Sequence, residues 1–469
     1  MKKQLSRRDF LRAASVGGVG LLVAACQPQV ITKEVVVTSA PVEKIVKETV
    51  QVQQTVEVTK EVEVAKPVTG VNINFFHAWH QAIAGPVIDP MIKQYMADHP
   101  GVIITQTAAD PNTLGPMILA AMAAGTPPDI GWGYSSAWVV ANALIALDEY
   151  LTKYGYESDQ VYPYLWPMFT VDGKKYAMPV ENSSVAWWYL KDVLKEAGVA
   201  EPSPDWDWNA LLDYGKKLTK KTGDKVERWG LDMPMSEWWY FITLLMEEGG
   251  SYLSKDLSKP AFNSEAGLKA MKFAESLAKA GVTPPPGYVA NVNSTFASKL
   301  VGLSWDGPWR FGNYVNELGL DAGVVMHPKC PDTGSNASYV FGGGLGVFKT
   351  TEERQDASMQ FLTWFLGKDM NARWGVLTGY LPIRMDSAET QEYKDFVAGK
   401  GSVMKGFLDV FKVGAAIPGQ NELPKFFDSV TIFQDECWEP VMLGKRTPEE
   451  GLAIAEKKML EDPTLFSLT

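Results

Sequence analysis

Residues 303–310 combine side chains suited to binding a polar ring. The stretch reads Leu-Ser-Trp-Asp-Gly-Pro-Trp-Arg, so two indoles, a carboxylate and a guanidinium surround a Gly-Pro turn. An indole face covers the C–H surface of such a ligand, while Asp306 and Arg310 can hydrogen-bond its hydroxyls. The apolar residues 300–303 predict a buried strand just before the turn. The alternative is a turn in which Trp305 and Trp309 only fill a core.

Two other pairs of residues could do chemistry. Glu181 and Glu237 could act as the acid and nucleophile of a secreted glycoside hydrolase, which needs two carboxyl groups roughly 5 to 5.5 Å or 6.5 to 9.5 Å apart, but their spacing in sequence does not require it. His77 and His80 follow a predicted strand, and no HExxH motif or cysteine cluster accompanies them. Hydrogen bonding in a loop is therefore favoured over metal binding, and no metal or cofactor is expected.

The beginning of the chain has the pattern of a targeting segment. Residues 1–25 contain a twin-arginine pattern at Arg7 and Arg8 and then a short apolar run, as in a signal peptide. The run ends in Leu-Val-Ala-Ala before Cys26, which resembles a bacterial lipobox and predicts lipidation of Cys26. The alternative is an ordinary signal peptide with an incidental cysteine. Lipidation would anchor the chain on the outer face of the cytoplasmic membrane, with the fold in water.

Residues 26–69 are predicted to form an extended tether. The segment lacks aromatic residues and repeats Val among Glu, Lys, Thr and Gln, so it has too little bulk for a core of its own. A small β-structure or a coiled coil is the alternative. Without residues 1–25 the chain has 39 basic and 54 acidic residues, a net charge of −15, which argues against a nucleic-acid partner. Beyond the lipobox only Cys330 and Cys437 remain, and a bridge between them is permitted but not indicated.

The body begins with alternating strand and helix patterns. Residues 71–76, 102–104 and 129–132 are predicted strands, and residues 88–96 and 114–124 are predicted helices. This βαβαβ order predicts a parallel sheet covered by helices, with ligands at the carboxyl ends of the strands. Trp79, Trp132 and Tyr134 follow such ends.

The second half repeats the alternation. Residues 185–190 form a predicted strand, Asp207 is a predicted N-cap, and Thr447 with Glu450 predicts a capping box. The glycine-rich run 342–346 lacks the Lys-Ser/Thr of a P-loop and the spacing of a dinucleotide fingerprint, so it is expected to let backbone approach another group closely.

Several motifs, in this order, resemble those of a known family. They are the lipobox leader and residues 124–130, 176–180, 207–208, 307–309 and 379–384. Together they are similar to the sugar-type extracellular solute-binding proteins of ABC importers, relatives of maltose-binding protein. The resemblance covers residues 71–467, and the order of the motifs is more specific than any one of them.

The resemblance implies an α/β fold of two doubly wound lobes joined by a hinge with three chain crossings, as in type II periplasmic binding proteins. Lobe 1 would comprise residues 70–180 and 327–380, and lobe 2 residues 181–326 and 381–469. The crossings would lie near residues 179–180, 326–329 and 380–382.

The resemblance also implies a function and a set of ligand-binding residues. The protein would be a monomeric, extracytoplasmic receptor that captures a mono- or oligosaccharide and delivers it to permease subunits, and it would not be an enzyme. The expected ligand-binding residues are Trp79, Trp132, Tyr134, Glu181, Glu237, Trp239, Asp306, Trp309, Gly343, Tyr380 and Arg384. His77 to His80 replace an acidic and basic pair of maltose-binding protein, which puts a maltodextrin ligand in doubt. A peptide, polyamine or polyol phosphate on the same fold is the alternative, and the glycine run keeps an anionic ligand open.

Overall fold

The computed structural model describes residues 70–79, 85–232, 237–286 and 292–467. The predicted leader, Cys26, the tether and His80 lie outside the described residues. Residues 66–469 form one structural unit, and everything that follows concerns that unit.

Fifteen strands occur in the described residues. They are β1 Val71–His77, β2 Val102–Ala108, β3 Ile130–Trp132, β4 Thr170–Val171, β5 Lys174–Lys175, β6 Ala177–Pro179, β7 Ser183–Ser184, β8 Ala186–Leu190, β9 Lys220–Thr222, β10 Lys225–Asp232, β11 Val301–Asp306, β12 Ala322–Val325, β13 Ser338–Phe341, β14 Gly344–Val347 and β15 Gly414–Ala415.

The α-helices of the same part of the chain alternate with these strands. They are α1 Gly85–Asp98, α2 Pro111–Ala123, α3 Ser136–Val140, α4 Asp148–Lys153, α5 Lys191–Glu196, α6 Trp208–Leu218, α7 Glu237–Glu247, α8 Glu265–Lys279, α9 Val292–Ala297, α10 Glu352–Phe365, α11 Lys368–Thr378, α12 Met385–Ala388, α13 Gln391–Ala398, α14 Lys405–Val410, α15 Phe426–Phe433, α16 Glu439–Met442 and α17 Pro448–Leu460.

Two mixed five-stranded sheets organise the fold. The first has the order β2-β1-β3-β14-β6, and the second β12-β8-β11-β10-β9. In the first sheet β1 pairs in parallel with β2 and β3, which confirms the βαβαβ prediction, while β14 runs antiparallel to β3 and β6. The late strand β14 therefore completes a sheet that the early part of the chain begins.

Each sheet has a hydrophobic core of its own. One core contains Phe75 and Trp374, and the other contains Trp187 and Trp305. Cys330 and Tyr339 lie in the core of the second sheet, whereas Val340 lies in the core of the first sheet and β14 pairs with β3. Both buried cysteines are free, so no bridge joins them.

The caps that the sequence predicts are present. The Asp207 side chain accepts a hydrogen bond from the Ala210 N–H at the start of α6, and Thr447 with Glu450 forms a capping box on α17. These side chains satisfy N–H groups that the first turn of a helix leaves without an intrahelical partner.

A third small sheet connects the two halves. It has the order β15-β13-β7, and β7 follows β6, an edge strand of the first sheet, in the sequence. Asn182, between β6 and β7, bridges to Leu381 and donates from Nδ2 to the Pro382 carbonyl over 3.1 Å, while Tyr164 donates to its Oδ1 over 3.0 Å. Two chain crossings therefore meet at Asn182.

Candidate functional site

Glu181 lies at the centre of the candidate site, next to these crossings. Its side chain is 5% exposed, and its Oε1 accepts the indole N–H of Trp79 over 2.9 Å and that of Trp132 over 3.2 Å. No side chain of a described residue donates a hydrogen bond to Oε2, and the Gly343 backbone is the further donor to the carboxyl group. A buried carboxyl group therefore has one oxygen held by two indoles and a second oxygen still able to accept.

Burial determines how readily Glu181 gives up its proton. Loss of hydration raises the pKa of Glu181 to about 7, although the hydrogen bonds from Trp79, Trp132 and the Gly343 backbone each act to lower it. Burial dominates because a carboxylate loses more solvation energy than these three neutral N–H donors return. Near neutral pH the group can both donate and accept a proton.

Gly343, a predicted site residue, allows this arrangement by lacking a side chain. Its carbonyl accepts the Val180 N–H over 2.9 Å, which brings the glycine run against the hinge. A Cβ at Gly343 would lie 2.7 Å from the Trp132 Nε1 and 2.8 Å from the Glu181 Oε2, closer than real contacts allow. The run therefore lets backbone approach another group closely, as the sequence indicated, and that group is Glu181.

Trp132 and Tyr134 stand at the carboxyl end of β3, as predicted. Both are half-buried, and Gly133 between them has φ +86°, a left-handed conformation that turns the chain out of the strand. The Tyr134 ring packs edge-on against Phe169 at 5.5 Å, and no described group bonds its hydroxyl. These two rings form the first-sheet side of the site.

Trp79 has a different position from the one expected of a ligand platform. Its indole is 3% exposed and packs against Trp374 at 4.9 Å and His77 at 5.5 Å. It acts on the site through its N–H to Glu181 and not through a free face. The sequence identified the residue correctly as a strand-end aromatic but could not show that its face is covered.

Aromatic rings also line the second-sheet side. Trp239 and Trp309 are half-buried, and the half-buried Phe341 lies between them, with ring centroids 5.7 Å from Trp239 and 5.9 Å from Trp309. Tyr339 stacks under Trp239 at 4.8 Å and fixes its orientation. We call Trp239, Phe341 and Trp309 the aromatic shelf.

Phe341 is the member of the shelf that the sequence did not identify. The sequence feature that could have identified it is its position at the end of a strand of β-branched and aromatic residues, immediately before the glycine run. Gly307 has a matching role for Trp309, because a Cβ there would lie 2.1 Å from the Trp309 ring. The Gly-Pro turn thus lets the indole fold back over its own backbone.

Asp306 and Arg310 build this turn. Asp306 is 0% exposed, its Oδ1 accepts the Gly307 N–H over 2.8 Å and its Oδ2 accepts the Arg310 Nε–H over 2.6 Å. Trp305 is also 0% exposed and belongs to the core. The opening stretch therefore divides into a structural part, residues 305–306, and an accessible indole at Trp309.

Tyr380 lies where the two sides of the site meet. Its ring stacks on Trp374 at 6.1 Å, and burial raises the pKa of its hydroxyl, with further effects from the charges of Glu181, Arg310 and Asp306. The structure thus brings Trp132, Glu181, Gly343 and Tyr380 together, with Tyr134 two residues after Trp132, and the aromatic shelf adjoins them through Phe341, two residues before Gly343.

Arg384, by contrast, does not offer its guanidinium to this site. The side chain is 1% exposed, donates to Asp386 over 2.8 and 2.7 Å and to Glu157 over 2.8 Å, and lies over the Tyr156 ring at 5.1 Å. Both carboxylates and the ring surround the guanidinium. Although Arg384 lies only four residues after Tyr380, its guanidinium bonds a different set of groups after the chain passes Pro382.

Some expected features lie beyond what the structure describes. Glu237 begins helix α7, but its side chain is outside the described residues. Of the histidine pair, only His77 is described, and its Nε2 lies 3.0 Å from the Gln106 Oε1. Among the described residues, no group of three or more His, Cys, Asp or Glu side chains could hold a metal ion, and no helix has the length and apolarity to cross a membrane.

Comparison with known proteins gives consistent matches along the body of the chain. A family model described as bacterial extracellular solute-binding protein matches residues 90–399. A putative binding protein of Brucella abortus is 24% identical over 392 residues, which is 81% of this chain and 90% of the relative.

Solved structures show the same fold. The ABC substrate-binding protein Lmo0181 of Listeria monocytogenes, in complex with cycloalternan, aligns with a TM-score of 0.75 and 21% identity over 84% of this chain and 98% of that chain. UgpB of Mycobacterium tuberculosis, in complex with glycerophosphocholine, aligns with a TM-score of 0.73 and 18% identity over 83% and 98%. The predicted two-lobed α/β fold is confirmed.

Proposed function

Because the chain belongs to the family of bacterial extracellular solute-binding proteins, we propose that it captures a carbohydrate between its two lobes and delivers it to the permease of an ABC importer. The observation that carries this proposal is the aromatic shelf, whose Phe341 directly precedes the glycine run that packs against Glu181. Trp239 and Trp309 each lie within 6 Å of Phe341, and these half-buried rings offer C–H-covering surface, while the carboxyl group of Glu181 offers hydrogen bonds.

The relatives support a carbohydrate without fixing which one. The listerial structure holds cycloalternan, and an arabinooligosaccharide-binding protein of Bacillus subtilis is 22% identical over 301 residues. The ligand positions proposed for this chain are Trp132, Tyr134, Glu181, Gly343, Tyr380 and the aromatic shelf. Closure of the lobes on the ligand would pivot at Asn182 and Leu381, where two crossings meet.

The proposed setting of the protein is the cell envelope. Cleavage before Cys26 and lipidation of that residue would anchor a monomeric receptor on the outer face of the cytoplasmic membrane. Radiolabelled palmitate incorporated by the wild-type chain and absent from Cys26→Ala would support this anchor, and equal labelling would refute it.

The test of the function is a thermal-shift screen with neutral mono- and oligosaccharides, followed by calorimetric titration. A ligand at about 100 times its Kd stabilises the folded state by roughly 2.7 kcal/mol, enough to raise the melting temperature visibly. Trp239→Ala and Trp309→Ala should weaken binding at least tenfold, while the exposed Phe427→Ala, a ring removed elsewhere in the second lobe, should not. A peptide or polyamine that stabilises the protein when no sugar does would refute the carbohydrate ligand.

Binding without turnover is part of the same proposal. Oligosaccharide recovered from the complex should have its original mass. Cleavage that persists in the purified protein and disappears in Glu181→Gln would favour a glycoside hydrolase instead.

A further inference from the structure

The glycine run and Glu181 together restrict the charge of the ligand. Relatives of similar fold bind ligands that differ in their charged groups, since cycloalternan lacks phosphate and glycerophosphocholine contains it. A glycine-rich loop could hold a phosphate through its backbone N–H groups. In this chain the loop lies against the carboxyl group of Glu181.

The backbone of the run is turned toward the hinge. The Gly343 carbonyl accepts the Val180 N–H over 2.9 Å, and the Gly344 carbonyl accepts the Gly133 N–H over 3.1 Å. The Cβ position of Gly342 lies 2.4 Å from the Glu181 carbonyl oxygen, and that of Gly343 lies 2.8 Å from the Glu181 Oε2. An anion placed on this run would therefore meet oxygen atoms, one of them of a carboxylate.

Among the described residues, the charges that act near the site are those of Arg310, Asp306 and Glu422. Arg310 is ion-paired with the buried Asp306, so the two form a neutral unit. On the side of β3, the carboxylate of the exposed Glu422 acts on the Tyr134 hydroxyl, whose pKa is raised first by burial and then by that charge. The charges of the described residues at the site therefore sum to a negative value whenever Glu181 is ionised.

Glu181 retains one acceptor position. Both indole N–H groups bind Oε1, and no side chain among the described residues donates to Oε2, beside which the Gly343 backbone lies. A carboxylate oxygen accepts more than one hydrogen bond, so this 95% buried group is stabilised by a ligand hydroxyl and repels a ligand phosphate.

We propose that Glu181 acts as a charge filter, which selects uncharged, hydroxyl-bearing ligands through its Oε2 and excludes phosphate-bearing ones from the same site. This proposal rests on the proposed function for its location in the cleft, but it concerns the charge of the ligand and not its carbohydrate nature. The polyol-phosphate alternative that the glycine run left open is the class that the filter rejects.

The first experiment measures matched ligand pairs. The pairs are glucose with glucose 6-phosphate and glycerol with sn-glycerol 3-phosphate, and a panel of neutral oligosaccharides is added. Each compound is titrated at pH 8.5 into wild type, Glu181→Gln and Glu149→Gln. Glu149 is exposed on α4 and provides the same change of charge on the surface. In wild type and Glu149→Gln, we expect the neutral ligand of each pair to bind at least tenfold more tightly than the phosphorylated one. In Glu181→Gln this ratio of affinities should be at least tenfold smaller.

The outcomes separate the two proposals. Equal affinity for a sugar and its phosphate in wild type overturns the filter and leaves the carbohydrate function standing. Binding of phosphorylated ligands alone overturns both. A ligand that is neutral or cationic but not a sugar overturns the carbohydrate function and supports the filter.

A second measurement needs no ligand. Iodide and acrylamide quench exposed indoles, and subtracting the signal of Trp132→Phe isolates Trp132, which donates to Glu181. At pH 8.5 the ratio of iodide to acrylamide quenching of Trp132 should rise at least twofold in Glu181→Gln and stay unchanged in Glu149→Gln. An unchanged ratio in Glu181→Gln overturns the filter even if no sugar pair binds.

Discussion

The Trp79 Nε1 donates to the Glu181 Oε1 over 2.9 Å, across 102 residues of chain. This hydrogen bond connects the end of the first strand to the carboxyl group beside the hinge. It makes a core tryptophan a positioning residue for the candidate site.

Replacing this indole tests the connection. Trp79→Phe keeps a ring but removes the N–H, so the pKa of Glu181 should rise above its value of about 7 and the protein should lose roughly 1.5 to 3 kcal/mol of stability. The pKa is measured by NMR of glutamate labelled at the carboxyl carbon, with Glu181→Gln to assign the signal.

Trp374→Phe is the matched control. Trp374 packs 4.9 Å from Trp79 in the same core, but no described residue accepts its N–H. An equal pKa change in both variants would mean that packing, and not the hydrogen bond, sets the titration of Glu181.

Stability should depend on pH through Glu181. Its pKa is raised from 4.5 to about 7 in the folded state, so between these values the folded protein binds more protons than the unfolded chain, and stability falls as pH rises through that window. The total effect is at most about 3 kcal/mol. In urea unfolding at pH 5 and pH 8, Glu181→Gln should become more stable relative to wild type at pH 8, and Glu149→Gln should keep a constant offset. A constant offset for Glu181→Gln would contradict the raised pKa.

Gly343→Ala should weaken ligand binding and should also reduce the stability of the fold. Its Cβ must displace Trp132 or Glu181, which we expect to weaken ligand binding at least tenfold at a cost of roughly 1 to 3 kcal/mol in stability. Gly101→Ala is the control, because nothing lies within 4 Å of its Cβ position and its φ is not positive. Calorimetric titration and urea unfolding give the two quantities, and unchanged affinity would remove Gly343 from the site.

Phe341 should contribute to affinity as part of the aromatic shelf. Phe341→Ala removes the ring between Trp239 and Trp309, and covering one such side chain contributes about 1.5 to 3 kcal/mol, so the ligand found in the screen should bind at least tenfold more weakly. Phe427→Ala, which removes a ring 53% exposed on α15, should leave affinity within twofold. Equal affinities of the two variants would exclude the shelf as a binding surface.

Arg384→Gln should destabilise the fold and leave ligand affinity within twofold. The guanidinium is buried between Asp386 and Glu157, so its loss leaves a partly buried carboxylate without its partner, at roughly 3 kcal/mol. Arg373→Gln, an exposed change on the neighbouring helix α11, should have little effect on either. Lost affinity with normal stability would return Arg384 to the ligand site.

Much of the local structure could be predicted from the sequence because it depends on neighbours in the chain. The alternation in residues 71–76 and the caps at Asp207 and Thr447 reflect side chains and backbone groups within a few residues of one another. The same holds for the aromatic residues at strand ends, since a strand's end is visible in its own pattern.

The candidate site was predictable only in part. Trp132, Tyr134, Glu181 and Gly343 were expected, and the structure places them together. Trp79 and Asp306 are buried partners of other groups, and Phe341 was missed. Which face of a ring stays uncovered depends on elements far away in the chain, which no local pattern encodes.

The sequence by itself therefore determined the order of strands and helices, their ends, and the supply of aromatic and carboxyl groups near the strand ends. Tertiary structure decided how these groups are used. It joined Glu181 to indoles 102 and 49 residues away, and it surrounded Arg384 with Glu157 and Asp386. The physical reason is that burial and charge pairing depend on which distant surfaces the folded chain brings into contact.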